Sequence, residues 1–150
     1  MQSPGDGPAE RPNDPGGEKA AEIAVRPAHP GEMPQIRELI AYFPKELIQD
    51  DIPRIQSFFV AERRGAIVGC CALQVYSRRL AEVRSLAVHP DYRGRGIAAR
   101  LVEACRIRGR ERRVRQMLAV TSEPGFFEAH GFTVHPGWKT ALFADLGRES

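Results

Sequence analysis

The sequence contains few cysteines and no long apolar run. Its three cysteines include the neighbours Cys70 and Cys71, and none of the three belongs to a Cys-x-x-Cys pair. This pattern argues against a disulfide scaffold and offers no zinc-ligand spacing, and the scattered histidines add none, so we expect no metal. A run of 18 apolar residues is also missing, which argues against a membrane span. We therefore expect a soluble, cytoplasmic protein with reduced, buried thiols and no membrane partner.

The first 20 residues lack side chains that could be buried. They are rich in proline, glycine and acidic residues, and they do not show the basic and then apolar pattern of a secretory signal. We predict a disordered tail over residues 1–20 and a single domain over residues 21–150. Because the tail is acidic, the domain is more basic than the net charge of +3 indicates. A mildly basic domain suits a phosphorylated or acidic ligand and does not require nucleic acid.

Hydrophobic periodicity predicts alternating strands and helices along the domain. Apolar residues recur at helical spacing from Met33 to Phe43, and Pro44 ends that helix. A hairpin is predicted where β-branched and aromatic runs flank a turn at Gly65. The full set comprises strands at 22–26, 57–62, 66–76, 81–88, 116–120 and 140–144, and helices at 33–43, at 45–55 with a break at Pro53, from 97 onward and at 124–130. This order predicts an α+β fold with helices on both faces of one mixed sheet.

The stretch HPDYRGRGIA, residues 89–98, joins a predicted strand to a predicted helix. It lacks the GxxxxGK[ST] spacing of a P-loop, and it follows its strand too late for a dinucleotide-binding GxGxxG turn. One interpretation is an anion site, in which glycines open the backbone and N–H groups from Arg93 to Ala98 point at a pyrophosphate on the helix N-terminus. The alternative is a solvated turn that caps the helix.

The motifs around this loop favour the anion site. Arg93, Gly96 and Ala98 match the [RQ]xxGx[GA] signature for acetyl-CoA, and FFEAHGF at 126–132 is similar to a second motif of the same family. From about residue 22 to residue 146 the chain therefore resembles the GNAT N-acetyltransferases, and it looks most like the acetyltransferase domain of N-acetylglutamate synthases. The resemblance implies a central mixed, mostly antiparallel sheet with helices on both faces and a splayed strand pair that holds acetyl-CoA.

The resemblance also implies a set of site residues. Acetyl-CoA is the expected cosubstrate, and an amine attacks its thioester directly, without a covalent enzyme intermediate. The backbone N–H of Val88 is the expected donor to the thioester oxygen. The family carries a tyrosine in its second motif as the acid for the leaving thiolate, but Phe127 stands there; Ser122 and Tyr92 are weaker candidates. The cofactor-binding residues are expected to be Leu86, Ala87, Val88, Arg93, Gly94, Arg95, Gly96, Ile97, Ala98 and Phe127.

Two charged residues on the strand before the loop are candidates for chemistry. Strand alternation would place Glu82, Arg84, Leu86 and Val88 on one face. Glu82 is the candidate general base that takes a proton from the incoming ammonium, and Arg84 is a candidate for binding a substrate carboxylate. The alternatives are that Glu82 and Arg84 form an ion pair at the sheet surface, or that Arg84 is simple surface charge.

We expect an N-acetyltransferase that acts on the primary amine of a small molecule, with an amino acid such as glutamate as a candidate acceptor, and that could form a homodimer. Alternatives are a protein acetyltransferase that acts on lysine or an N-terminus, and an acetyl-CoA-binding module without catalysis. The arginine-rich stretch 106–115 is expected to be a solvated face, although nucleic-acid phosphates or the 3′-phosphate of CoA are alternative partners.

Overall fold

The computed structural model describes residues 22–135, 142 and 144–147, and over these residues the chain forms one five-stranded sheet. Each strand pairs with its neighbour in the chain, antiparallel from β1 to β4 and parallel between β4 and β5. The predicted α+β fold with a mixed, mostly antiparallel sheet is confirmed. The strands are β1 Ile23–Pro27, β2 Phe58–Arg63, β3 Ala66–Val75, β4 Leu80–Val88 and β5 Gln116–Ala119.

Helices cover both faces of the sheet. On one face α1, Met33–Ile40, buries Ile36, Leu39 and Ile40, which lie in one apolar core with Phe58 and Ala87. On the other face α2, Ile97–Glu111, buries its apolar stripe in a second core that contains Cys71 and Leu73. The short helix α3, Pro124–Glu128, adds Phe127 to this second core. The strands therefore carry buried side chains on both faces, as the continuous apolar run in β3 indicates.

The predicted helix at 45–55 is wrong. This segment consists of turns and bends that lead into a short 3-10 turn, Ile55–Ser57. The amide of Gln49 donates to the carbonyls of Ile40, Phe43 and Leu47, at 3.1, 3.2 and 3.0 Å. These bonds fold the segment back over the end of α1. Together with Pro44 and Pro53, which disfavour a continuous helix, they explain why a loop forms here.

Two sequence predictions fall outside the described residues. The tail at 1–20 is one of them. The last strand, 140–144, is the other, since residues 136–141 and 143 are not described.

Candidate active site

A gap opens between β4 and β5 because the two parallel strands pair over only part of β4. Leu80 to Val83 lie opposite Gln116 to Ala119, and no pairing with β5 follows along the described chain. β4 nevertheless continues to Val88 and stays paired with β3 as far as Gly69. The end of β4 therefore presents one backbone edge to a widening cleft, which is the splayed pair that the sequence predicted.

A bulge in β4 changes which side chains share a face. Ala72 lies opposite Arg84, and Cys70 lies opposite Ala87, so β4 contains one more residue than β3 between these pairs. The extra residue is accommodated at Ser85, whose φ of 57° is in the left-handed region. Alternation along β4 is interrupted at this point, because a bulge shifts the following residues to the opposite face.

The predicted single face of Glu82, Arg84, Leu86 and Val88 is therefore wrong. Arg84 bonds Gln74 on the α1 side of the sheet, and Glu82 lies opposite Gln74 in the same register. Leu86 and Val88 instead pack against the core beneath α2, and Ala87 is buried in the α1 core. The charged residues and the apolar end of β4 thus lie on opposite faces of the strand.

The backbone at the end of β4 has an N–H group directed toward the cleft. The N–H of His89 donates to the carbonyl of Val68 at 2.8 Å, which keeps this side of the chain bonded to β3. Because successive amides of an extended chain point to opposite sides, the N–H of Val88 points to the side from which β5 has departed. An oxygen atom in the cleft could accept a hydrogen bond there, as the sequence prediction for Val88 requires.

Glu82 has a partner that sequence reasoning did not identify. The hydroxyl of Tyr76, just after β3, donates to Oε1 of Glu82 at 2.5 Å. The Glu82 carboxylate raises the pKa of the Tyr76 phenol, because the bond and the negative charge both favour the protonated hydroxyl. The alternative interpretation, an ion pair between Glu82 and Arg84, is not found among the described contacts. The contact depends on the register of the β3–β4 hairpin, which pairs Val75 with Ala81 and Gln74 with Glu82.

The guanidinium of Arg84 donates hydrogen bonds to two acceptors within the protein. One terminal nitrogen donates to Oε1 of Gln74 at 2.7 Å, and the other donates to the carbonyl of Asp51 at 2.8 Å. The Asp51 carboxylate lies 3.9 Å from the same guanidinium, and only 15% of the Arg84 side chain is exposed. Arg84 therefore fixes the segment that follows α1 to the sheet. A substrate carboxylate that binds Arg84 must compete with Asp51.

The loop after β4 forms an open backbone cradle at the start of α2. Gly94 and Gly96 have φ values of 74° and 76°, which side chains rarely allow, and Gly96 is the N-cap of α2. A Cβ atom built on either glycine would meet no atom within 4 Å. The first turn of a helix leaves N–H groups without intrahelical acceptors and carries a positive partial charge. This cradle therefore fits an anion that needs close backbone approach.

The two arginines of the cradle differ in their surroundings. Arg95 buries its Nε, and this atom has no hydrogen-bond partner among the described residues. A buried donor without an acceptor is costly, and a phosphate oxygen would supply one. Arg93 turns instead toward the segment after α1, where its guanidinium lies 5.6 Å from the ring centre of Phe43. Arg95 is thus the cradle arginine that keeps an unsatisfied donor among the described residues.

The remaining predicted cofactor residues are mostly packed. Ile97 is buried beneath the first turn of α2, and Ala98 is half-buried next to it. Phe127 is 8% exposed, and its ring meets Phe126 and Phe132 edge to face at centroid distances of 5.0 and 5.1 Å. A phenyl ring in this position cannot donate a proton. Phe127 also borders a cavity of about 940 Å³ along β5, between α3 and the C-terminal half of α2.

The cysteines are buried, as predicted, and their surroundings suppress reactivity. Burial raises the pKa of Cys70 to about 12. Cys71 lies 3.7 Å from Cys105, sulfur to sulfur, and this contact together with burial raises the pKa of Cys71. Protonated thiols are poor nucleophiles. Within the described ranges, no group of three histidine, cysteine or acidic side chains could hold a metal, and no helix is long and apolar enough to cross a membrane.

The arginine-rich stretch divides into two parts. Arg108 stacks on Phe59 at 4.0 Å, and Arg106 donates to the carbonyl of His130 and lies over Phe132. The arginines from 110 to 115 are exposed around the C-terminal end of α2. Because α2 has 15 residues, this end lies about 22 Å from the cradle. The exposed arginines are therefore too far from the cradle to bind the same phosphate, and they lie at the negative end of the helix dipole.

The described structure thus joins a parallel strand pair that separates, β4 and β5, to an open backbone cradle at the start of α2. Comparison with known sequences names the class. The family model of the acetyltransferase (GNAT) domain matches residues 54–134. The chain belongs to the GNAT family of acetyltransferases.

Two curated relatives illustrate this membership. An uncharacterized N-acetyltransferase of Chlorobaculum tepidum is 39% identical over 88 residues, which are 59% of this chain and 57% of that protein. The amino-acid acetyltransferase of Mycobacterium tuberculosis is 34% identical over 117 residues, 73% of this chain and 67% of that protein. The chain thus spans little more than half of the first relative and about two thirds of the second.

Solved structures agree with these relatives. A Mycobacterium tuberculosis protein in complex with CoA and a second ligand superposes with a TM-score of 0.71 at 32% identity, over 79% of this chain and 76% of that one. N-acetylglutamate synthase from Neisseria gonorrhoeae, in complex with coenzyme A and N-acetyl-glutamate, gives a TM-score of 0.68 at 26% identity. That match covers 74% of this chain and 28% of the synthase.

Proposed function

We propose that this domain is an acetyl-CoA-dependent N-acetyltransferase that acetylates the primary amine of a small molecule, with an amino acid such as glutamate as the leading acceptor. The observation that carries the proposal is the cleft between β4 and β5, which has the Gly94 and Gly96 cradle at one end and a half-buried carboxylate, Glu82, on β4. Relatives that are named amino-acid acetyltransferases, or are solved with CoA and N-acetyl-glutamate, support this choice of acceptor.

The residues of the cradle would hold the phosphates of the cosubstrate. N–H groups from Arg93 to Ala98, with the buried Nε of Arg95, provide donors for a pyrophosphate at the positive end of α2. The backbone edges of Leu86, Ala87 and Val88 would line the extended arm, and Phe127 would form part of the apolar wall. Acetyl-CoA supplies an acetyl group on a thioester, which an amine can attack directly.

Glu82 and the backbone edge of β4 would divide the chemistry between them. Glu82 takes the proton that the ammonium must lose before its nitrogen can attack. The nitrogen–carbon bond then forms as the carbon–sulfur bond breaks, and a backbone N–H at the open edge of β4 donates to the oxygen that gains negative charge. The sulfur leaves as a thiolate with a pKa of roughly 8.5 for its thiol, so water can return its proton near neutral pH. This step needs no hydroxyl at Phe127.

Arg84 has a structural part in this proposal. Its bonds to Gln74 and Asp51 hold the segment after α1 beside Glu82, where an acceptor would approach. An acceptor carboxylate would displace the Asp51 carbonyl to reach the guanidinium. A preference for acidic amino acids would therefore depend on Arg84, whereas acetylation of neutral amines would depend on it only through the position of this segment.

Thiol release from acetyl-CoA tests the proposal. The panel should contain glutamate, glutamine, neutral amino acids, a lysine-containing peptide and a peptide with a free N-terminus. We expect turnover with free amino acids, and the Glu82→Gln variant should lower kcat/KM about a hundredfold or more. Glu111→Gln, which changes an exposed carboxylate at the end of α2, should leave it unchanged.

Three outcomes would contradict parts of the proposal. Turnover of peptides alone would indicate a protein acetyltransferase. Binding of acetyl-CoA without thiol release for any amine would indicate a binding module. Full activity of Glu82→Gln would remove Glu82 from the reaction.

A further inference from the structure

The contact between Tyr76 and Glu82 joins an exposed aromatic residue to the candidate general base on β4. The Tyr76 hydroxyl bonds Oε1 of Glu82 at 2.5 Å, across the turn between β3 and β4. The backbone N–H of Tyr76 donates to the carbonyl of Leu80 at 3.0 Å, so Tyr76 is fixed to the start of the strand that carries Glu82. The contact is therefore built into the hairpin.

This geometry leaves Glu82 one oxygen for an incoming amine. A carboxylate has two oxygens, and the phenol occupies Oε1. A bond to an ionised acceptor is stronger than one between neutral groups, and it restricts rotation of the carboxylate about its last bond. The second oxygen, Oε2, is then held in one orientation. Because a misplaced base transfers protons poorly, fixing the carboxylate affects the rate more than the binding of substrates.

The nearby charges belong to the same surface. The positive charge of Arg84 lowers the pKa of Tyr76, and the negative charge of Asp51 raises it. Arg84 also donates a hydrogen bond to Gln74 on the neighbouring strand. Tyr76 thus belongs to a polar patch on the α1 side of the sheet. The members of this patch are Tyr76, Glu82, Arg84, Gln74 and Asp51. Within this patch, Tyr76 is the described residue that bonds the Glu82 carboxylate.

We propose that Tyr76 is a positioning residue of the acetyl transfer, which orients the Glu82 carboxylate toward the acceptor amine through the bond to Oε1. The inference rests on the proposed function and on Glu82 as its base. In this role Tyr76 acts through Glu82 and needs no contact of its own with the acetyl group or the cosubstrate. Its effect should therefore vanish when Glu82 can no longer accept a proton.

A double-mutant cycle in the full chain tests this dependence. Tyr76→Phe removes only the hydroxyl, and because the side chain is 52% exposed the fold should be retained. With the best acceptor of the panel, kcat should fall roughly tenfold, since a bond to a charged group is lost, while KM for acetyl-CoA stays within about twofold. In the Glu82→Gln background, Tyr76→Phe should change kcat by less than about twofold.

Tyr42→Phe is the matched control. Tyr42 is 54% exposed, as similar to Tyr76 as the chain offers, and its ring contacts Phe43 and His89 rather than Glu82. This variant should retain the kcat of the wild type. Circular dichroism before each assay verifies that every variant is folded.

Alkaline titration of tyrosine absorbance gives a readout that does not depend on turnover. The chain has three tyrosines, and the difference between wild type and Tyr76→Phe isolates the signal of Tyr76. Its pKa should be raised in the wild type and should fall toward its ordinary value in Glu82→Gln, because the negative charge beside the phenol is removed.

The possible failures are distinguishable. An unchanged kcat in Tyr76→Phe, or an equal loss with and without Glu82→Gln, would overturn the role of Tyr76 while leaving the acetyltransferase intact. Absence of thiol release by the wild type with every amine would refute the proposed function itself. An identical titration of Tyr76 in wild type and Glu82→Gln would show that the contact is not formed in solution, and it would overturn the inference as well.

Discussion

Gly96 shows at the scale of one residue how backbone conformation and ligand access coincide. Its φ of 76° permits the turn from the loop into α2, and the space where a side chain would project is open. A β-branched residue is strained in this conformation and would also fill the approach to the first N–H groups of the helix. Glycine is therefore favoured at position 96 for two separate reasons, the positive φ and the open approach to the helix N–H groups.

Replacing Gly96 by valine should abolish tight CoA binding. The left-handed conformation costs a β-branched residue about 1–3 kcal/mol, and the side chain blocks the cradle. We expect Kd for CoA, measured by isothermal titration calorimetry, to rise at least about tenfold while the circular dichroism spectrum stays that of the wild type.

Gly65→Val provides the matched control for this change. Gly65 also has a positive φ, 85°, and open surroundings, but it lies in the turn between β2 and β3. The variant should lose a similar amount of stability and keep the affinity for CoA. Wild-type affinity in Gly96→Val, or an equal loss of affinity in both variants, would contradict the cradle.

At the scale of elements, close approach sets the position of α2 on the sheet. Gly69 of β3 lies beneath the first turns of this helix, and a Cβ there would be 3.1 Å from both Ile97 Cγ2 and Leu101 Cδ1. Gly69 also lies opposite Val88. The residue that determines the distance between α2 and the sheet is therefore also paired with the last residue of β4. The position of the cradle relative to the cleft therefore depends on the absence of a Cβ atom at Gly69.

Gly69→Ala should destabilise the domain by about 1–3 kcal/mol, because the added methyl group overpacks the interface. Urea denaturation followed by circular dichroism measures the free energy of unfolding. We also expect weaker CoA binding, since α2 must move away from the sheet.

Gly109→Ala tests the opposite effect on the same helix. A Cβ at Gly109 would meet Met117 Sδ at 3.7 Å, which is an ordinary contact. Because glycine in a helix interior is unfavourable relative to alanine, the variant should be more stable by about 0.5–1 kcal/mol. A stabilised Gly69→Ala, or equal effects of the two changes, would contradict this account of the packing.

At the scale of the whole molecule, one arginine joins the first strand to its neighbours. Arg26 of β1 donates to Glu62 of β2 at 2.8 Å, and it bonds both oxygens of Glu32, just before α1, at 3.0 and 2.7 Å. Glu32 also accepts from the N–H of His29 at 2.7 Å. The edge strand, its neighbour and the α1 layer thus meet in one partly buried ion cluster.

This cluster should make stability depend on pH below the ordinary carboxyl range. The bonds from Arg26 hold the pKa of Glu32 at about 2, below its ordinary value of 4.5, and the same guanidinium lowers the pKa of Glu62. A lowered pKa stabilises the fold above pH 4.5, and this contribution is lost as the pH falls toward 2. Urea denaturation across this window should show a decreasing free energy of unfolding.

Arg26→Met tests whether the ion cluster causes this dependence. The variant should be about 1 kcal/mol less stable than the wild type at pH 7, and the difference should shrink as the pH approaches 2. Arg37→Met, at an exposed position of α1, should follow the wild type. A constant difference between Arg26→Met and the wild type at every pH would contradict the pKa argument.

Much of this architecture was predictable because local patterns coincide with the tertiary fold. Periodicity predicted α1, α2, α3 and the five described strands, and the motif at 89–98 predicted the cradle with its glycines. The loop at 45–55 was mispredicted because the Gln49 amide replaces helical bonds with contacts to three carbonyls. Neither helix propensity nor the spacing of apolar residues indicates that the Gln49 side chain will make these contacts.

Residue identity and motif spacing predicted the position of the cradle, since Gly94, Gly96 and the start of α2 are neighbours in the chain. Tertiary structure decided how the site is arranged. The bulge at Ser85 separates Glu82 from Leu86 and Val88, the hairpin turn brings Tyr76 to Glu82, and Asp51 engages Arg84 from a distant loop. These contacts depend on register between strands and on long-range packing, and such pairings are set by the whole fold rather than by neighbours in the chain.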